Sequence, residues 1–103
     1  MQQEMMHERI RLQYKDAYGY TIPVGSTVLL AAVTEDGMIG TAGFDIEALE
    51  NLGIPAAVVH AGEGIEIERI SDLLDGEVVA ANLHATQRRV EVGMSGREAL
   101  ERM

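Results

Sequence analysis

Polar and apolar positions alternate along Glu8–Tyr14 (ERIRLQY), which predicts a half-exposed strand. Tyr18–Val24 reads as a second extended segment, broken by Pro23. Thr27–Thr34 (TVLLAAVT) is almost wholly apolar, the pattern of a buried strand. Glu35-Asp36-Gly37 supplies turn chemistry, so Met38–Phe44 is expected to return as a hairpin partner. Asp45 is placed to cap a helix running through Leu52, with Ile46, Leu49 and Leu52 on one side and Gly53 as its stop. Ala56–His60 (AAVVH) predicts another buried strand, and Ala61-Gly62-Glu63-Gly64 a loop. Ser71–Leu74, closed by Asp75-Gly76, predicts a short helix. Val78–Leu83 predicts a further strand and Val90–Val92 a last short one, before a helix that starts at Ser95. Strands follow one another before residue 38 and alternate with helices after it. The expected fold is therefore α+β with α/β-like layers: a mixed β-sheet and three short helices.

Length and composition narrow the reading. A chain of 103 residues makes one domain. Such a chain buries about 65% of its unfolded surface, enough for a small core. With 47% hydrophobic residues, disorder is not expected. Cysteine is absent, which excludes disulfides, thiol catalysis and cysteine-ligated metal. No run approaches the roughly 20 apolar residues of a membrane helix, and Met1-Gln2-Gln3-Glu4 lacks the pattern of a signal peptide. The expected location is cytoplasmic, with no membrane partner.

Charge and aromatic placement bear on partners. There are 17 acidic against 8 basic side chains, a net charge of -9. That field repels nucleic acid. Lys15 is the only lysine. Three of the four aromatic residues, Tyr14, Tyr18 and Tyr20, fall in one N-terminal stretch. Alternation puts Tyr18 and Tyr20 on one face, as expected of a surface that meets another subunit. Met5 and Met6 fit the same interface as filler.

The last dozen residues concentrate the candidate chemistry. Ser95 occupies a helix N-cap position and Glu98 follows at capping-box spacing. Gly93 and Gly96 permit a sharp turn and close approach. Free amides at a helix start, with the forked donor of Arg97 beside them, suit a small anion. Ser95, Gly96 and Arg97 are accordingly the anion-binding candidates. The simpler alternative is that Ser95 and Glu98 only cap the helix and that Arg97 pairs with a neighbouring carboxylate.

Gly37-Met38-Ile39 through Phe44-Asp45, then Ile70-Ser71-Asp72-Leu73-Leu74-Asp75, then Val92-Gly93-Met94-Ser95-Gly96-Arg97-Glu98-Ala99-Leu100, follow in the order seen in the YunC-like family of uncharacterised proteins. The sequence resembles that family over residues 27–103, and the closing motif is the specific part. The resemblance implies a YunC-like α/β domain at 27–103 and an N-terminal β segment at 1–26 used for oligomerisation, within one structural domain. It implies assembly into a tetramer and no established reaction; the extended, tyrosine-bearing N-terminal segment by itself predicts a dimer or tetramer. Thr41-Ala42-Gly43 stands where the family pattern has a Cys-Gly-Ala-type step, so thiol chemistry does not carry over. The segment Pro55–Glu68 is longer than that pattern.

The remaining signals are secondary. His60 and His84 each close an apolar run and Asp45 ends a third, so all three qualify as candidates at C-terminal strand ends. Nothing in their spacing builds a metal site, and no metal or other cofactor is expected. Gly37, Gly40 and Gly43 do not form GxGxxG and read as close sheet packing. Glu63, Glu66, Glu68, Asp72 and Asp75 read as a solvated acidic face. Two function classes follow. One is a homo-oligomeric module that binds a small anionic metabolite at Gly93–Arg97. The other is a small hydrolase- or transferase-type enzyme with a site at a subunit interface, drawing on Ser95, Arg97 and Asp45 or His84.

Overall fold

The computed structural model describes residues 6–62 and 65–103. Met5, and Glu63 and Gly64 of the expected loop and acidic face, lie outside the described residues. Six strands form one sheet in chain order: β1 (Met6–Arg11), β2 (Asp16–Val24), β3 (Thr27–Val33), β4 (Met38–Gly40), β5 (Ala56–His60) and β6 (Glu77–Ala81). Every pairing is antiparallel except β4 with β5, which is parallel. A parallel pair needs a crossover, and helix α1 (Ile46–Asn51) supplies it. The other helices are α2 (Ile70–Asp75), α3 (Leu83–Thr86) and α4 (Gly96–Glu101). Among the described residues no helix is long and apolar enough to cross a membrane.

The apolar run at β3 does what its pattern predicts. Leu30 and Ala32 point into the core with Ile39, Ala57, Val59 and Val78 of the neighbouring strands. Helices α2 and α4 cover this face, contributing Ile70, Leu73, Ala99 and Leu100, and the chain end Met103 is fully buried with them. The β3–β4 turn is fixed by Thr34, whose hydroxyl accepts from the Asp36 and Gly37 amides at 3.2 and 3.1 Å. On the opposite face Phe44 packs against Gly40, where a Cβ would come within 2.6 Å of its ring. Helix α1 lies against β5. The register sets Tyr18 beside Val33, Tyr20 beside Ala31 and Ile22 beside Leu29, so these side chains share the face turned away from α2 and α4. Tyr18 and Tyr20 thus share a face, as the alternation predicts.

Four differences from the sequence reading have physical causes. There are four helices, not three: Asn82 caps a short turn, α3, where a continuing strand was expected. Strand β4 stops at Gly40, because Thr41 to Phe44 close a turn through a 3.3 Å bond from Phe44 N–H to Thr41 C=O. Tyr14 sits in the tight turn between β1 and β2 and is exposed, not part of a strand. The strand expected at 90–92 does not form. The pairing moves on to Gly93 and Met94, which exchange bonds with Val78 at 2.8 Å and cover the outer edge of β6.

The N-terminal hairpin is bound into the sheet rather than appended to it. Beyond its pairing with β3, the Gln13 amide donates to Glu101 Oε1 of α4 at 2.7 Å. Arg9 pairs with Asp16 across the β1–β2 hairpin, and the carboxylate raises the guanidinium pKa still further.

Candidate functional site

The expected anion site is engaged in closing the fold. Ser95 Oγ accepts from the Glu98 amide at 3.0 Å, the first half of the expected capping box. The return half differs: Glu98 Oε1 lies 3.4 Å from the Ser95 hydroxyl instead of reaching the Ser95 amide. The Gly96 amide, which an anion would need, donates to Gly76 C=O at 3.0 Å. Gly96 also lies so close to α2 that a Cβ would fall 2.2 Å from Leu73 C=O. Gly93 adopts φ +101°, which explains a glycine at this turn. Arg97 is exposed and makes no hydrogen bond or ion pair among the described residues. Ser95→Ala should lose the cap, costing about 1 kcal/mol, and lower Tm by about 4–8 °C on calorimetry. Arg97→Ala should shift stability by less than about 0.5 kcal/mol.

The secondary candidates are held apart. Asp45 Oδ1 accepts from the Glu47 and Ala48 amides at 3.1 Å, so this carboxylate caps α1. His60 ends β5 opposite Glu77. His84 lies on α3, beyond the Ala57–Ala81 pairing at the other end of β5, and is bound to Glu50 of α1. Among the described residues no group of three or more His, Asp or Glu side chains is placed to hold a metal ion.

Of these residues His60 lines a concavity. The C-terminal ends of β4 and β5 open beside the start of β3, and Ala61, Gly62 and residues 65–67 line the same hollow. Together they enclose a cleft of about 430 Å³. Val28, Val59, Ile65 and Ile67 give it apolar walls, and Thr27, Thr41, His60 and Glu66 bring polar groups to it. Thr41 is positioned by β3: its amide donates to Leu30 C=O at 3.0 Å and its hydroxyl accepts from Leu30 N–H at 3.4 Å. That leaves the hydroxyl proton free to donate. The Ile65 amide donates to Gly62 C=O at 2.9 Å, and Ile65 lines the cleft. A second cavity of about 560 Å³ continues past His60 and Ile65 along Asp72, Asp75 and Glu77. Thr27, Thr41 and residues 65–67 were not site candidates in the sequence, where Thr41 stood out only as a departure from the family pattern and Glu66 only as part of an acidic face; they converge through the β3–β4–β5 register.

Residues 42–103 match the family model described as a domain of unknown function, DUF1805. The chain belongs to the DUF1805 family. It is 31% identical over 83 residues to the uncharacterized protein YunC of Bacillus subtilis (strain 168), covering 81% of each chain. It also superimposes on the crystal structure of a protein of unknown function, TA1206 from Thermoplasma acidophilum. There the TM-score is 0.81 at 19% identity, over 98% of this chain and 96% of that one. The DUF1805 match includes α1, β5, α2, β6, α3 and α4, hence His60 and every residue of the closing turn. It begins after β1–β4, so it does not include Thr27 or Thr41.

Proposed function

We propose that this DUF1805 protein is a homo-oligomeric small-ligand-binding domain whose ligand occupies the cleft at the C-terminal ends of β4 and β5. The observation that carries the reading is the convergence of His60, Thr27, Thr41 and Glu66 on one hollow that Val28, Val59, Ile65 and Ile67 also line. A ligand site is concave and fixes its ligand with a few placed polar groups. A volume of about 430 Å³ suits a small metabolite. The hydroxyls and the imidazole offer both donors and acceptors, which favours binding of a polar, hydrogen-bonding compound. No activated nucleophile stands in the cleft among the described residues, so the reading is recognition rather than catalysis there.

The Gly93–Arg97 turn remains the second reading, supported by the exposed guanidinium of Arg97, which has no partner among the described residues. The cleft is preferred because the Ser95 hydroxyl and Gly96 amide already have partners and neither cavity reaches that turn. Assembly into a dimer or tetramer is proposed through the sheet face bearing Tyr18, Tyr20, Ile22, Leu29 and Val33, which no helix covers among the described residues.

A thermal-shift screen across small metabolites of either charge tests the site, because a compound that binds only the folded state raises Tm. Hits are mapped by amide shift changes. His60→Ala should weaken binding at least about tenfold, or 1.4 kcal/mol, while Arg97→Ala leaves it unchanged. Shift changes centred on residues 95–97, with binding lost in Arg97→Ala, would move the site to the closing turn. A screen without a hit would remove ligand binding altogether.

A further inference from the structure

The sheet has two outer edges, and the fold treats them differently. At β6, Gly93 and Met94 exchange bonds with Val78 and close the edge. At the other side, β1 pairs with β2 alone. In an antiparallel pair every second residue turns its N–H and C=O away from its partner. No other backbone group among the described residues takes that outer row along Met6–Arg11. The strand is open to solvent: every residue except Ile10 is exposed.

The side chains of this edge sort by face. The register puts His7 beside Tyr20, Arg9 beside Tyr18 and Arg11 beside Asp16, so the imidazole and both guanidiniums share the tyrosine face. Asp16 is the one acidic side chain on that face of the hairpin, and it accepts from Arg9 Nε at 2.8 Å. Arg11 is exposed and makes no hydrogen bond or ion pair among the described residues. Residues 9–15 hold Arg9, Arg11 and Lys15 and no acidic side chain, in a chain of net charge -9. Charges on an edge strand guard it against a like edge. Here one face carries charge of one sign, so the side chains that repel a copy of β1 attract an acidic strand.

We propose that the outer edge of β1 docks an extended, acidic segment of a partner protein, which adds to the sheet beside Met6–Arg11. Strand addition takes its affinity from main-chain bonds and its specificity from alternate side chains. Side chains of an extended segment alternate between faces. Carboxylates at every second position therefore fall beside His7, Arg9 and Arg11, where the guanidiniums donate charge-assisted hydrogen bonds to them. The intervening side chains fall on the helix-covered face, where an apolar group covers Met6, which is 63% exposed. This surface lies across the sheet from β6 and is separate from the His60 cleft.

The probe is an end-blocked peptide of alternating valine and glutamate, titrated into the full chain. The outward amides of β1 should exchange freely in the free chain and become protected when the peptide binds, with shift changes centred on Met6–Arg11. Arg11→Glu should weaken binding about fivefold, since a cross-strand attraction becomes a repulsion. Arg97→Glu makes the same charge change at the start of α4 and should leave binding within about twofold, because solvent screens a charge that far from the edge. Binding that leaves the outward amides unprotected, or that Arg97→Glu weakens as much as Arg11→Glu does, is attraction by charge alone and overturns the proposal. Absence of binding at millimolar peptide overturns it too. Outward amides already protected in the free chain place a second copy on this edge and overturn it as well. The exchange measurement uses the unaltered chain, so it decides the matter whatever the variants do.

Discussion

Replacing Asn82 by alanine should destabilise the protein by about 3–5 kcal/mol, the range of a broken buried polar network. Asn82 is 1% exposed, and its amide has no slack. Oδ1 accepts from the Ala56 and Ala85 amides, each at 3.0 Å. Nδ2 donates to Ile46 C=O at 3.0 Å and Ile54 C=O at 2.9 Å. One side chain thus ties the first turn of α1, the entry to β5 and the start of α3. Alanine leaves two amides and two carbonyls without that partner, and a buried unpaired group costs about 1–3 kcal/mol. Some of the four will find water, which is why the sum stays below the upper bound. At about 4–8 °C per kcal/mol for a domain of this size, Tm should fall by roughly 15–30 °C. Amide exchange gives the local check. The Ala56 and Ala85 protons should be protected in the native chain and exchange far faster in the variant. A Tm change of a few degrees, with both amides still protected, would show that the neighbouring backbone holds these elements without the asparagine.

Asn82 marks where reading the sequence stops working. The strands were legible because burial leaves a period in the chain: TVLLAAVT and AAVVH can only be interior strands. The caps at Asp45 and Ser95 were legible because a cap is local, satisfied within three residues. Asn82 has one local partner, Ala85, and three that lie 26 to 36 residues away. Its neighbours Ala80, Ala81 and Leu83 continue an apolar run, so the run absorbed it and α3 with it. The only local hint was an N-cap residue type in front of Leu83.

The candidate site divides the same way. His60 was placed correctly at the end of a buried strand, because the strand itself was legible. Its neighbours in the cleft come from β3, the turn after β4 and residues 65–67, and only the sheet register brings them together. The closing segment is the opposite case. Its glycines, serine and arginine look like chemistry in sequence. In the fold Gly93 and Met94 seal the edge of β6, Gly96 lets α4 pack on α2, and Ser95 caps α4. An edge strand that needs covering and a helix packed at backbone contact demand the same residue types as an anion site.

If the proposed assembly forms through the face of β2 and β3, Ile22→Lys should dissociate it while leaving the protomer folded. The face is apolar at adjacent positions: Ile22 lies beside Leu29, Tyr20 beside Ala31 and Tyr18 beside Val33. Tyr18 is 46% exposed in a chain with only four aromatic residues, so a large ring is left to solvent unless another surface covers it. Edge-to-edge pairing of β1 is the weaker route to self-association. A two-fold axis through an antiparallel β1 pair centred on Glu8 or Arg9 sets that charge against its own copy, and charged edges resist pairing. Face packing avoids this, because His7 and Arg9 then fall at the rim. In a two-fold interface every substitution counts twice. A lysine at a central apolar position costs about 2 kcal/mol or more per protomer, hence about 4 kcal/mol per dimer, or roughly a thousandfold in Kd. Light scattering at micromolar concentration should move from a dimer or tetramer to a monomer. The circular dichroism of the variant should match the native chain, since Ile22 is only half-buried in the protomer. A native chain that is already monomeric at that concentration removes the assembly. An oligomer that survives Ile22→Lys intact places its interface on another surface.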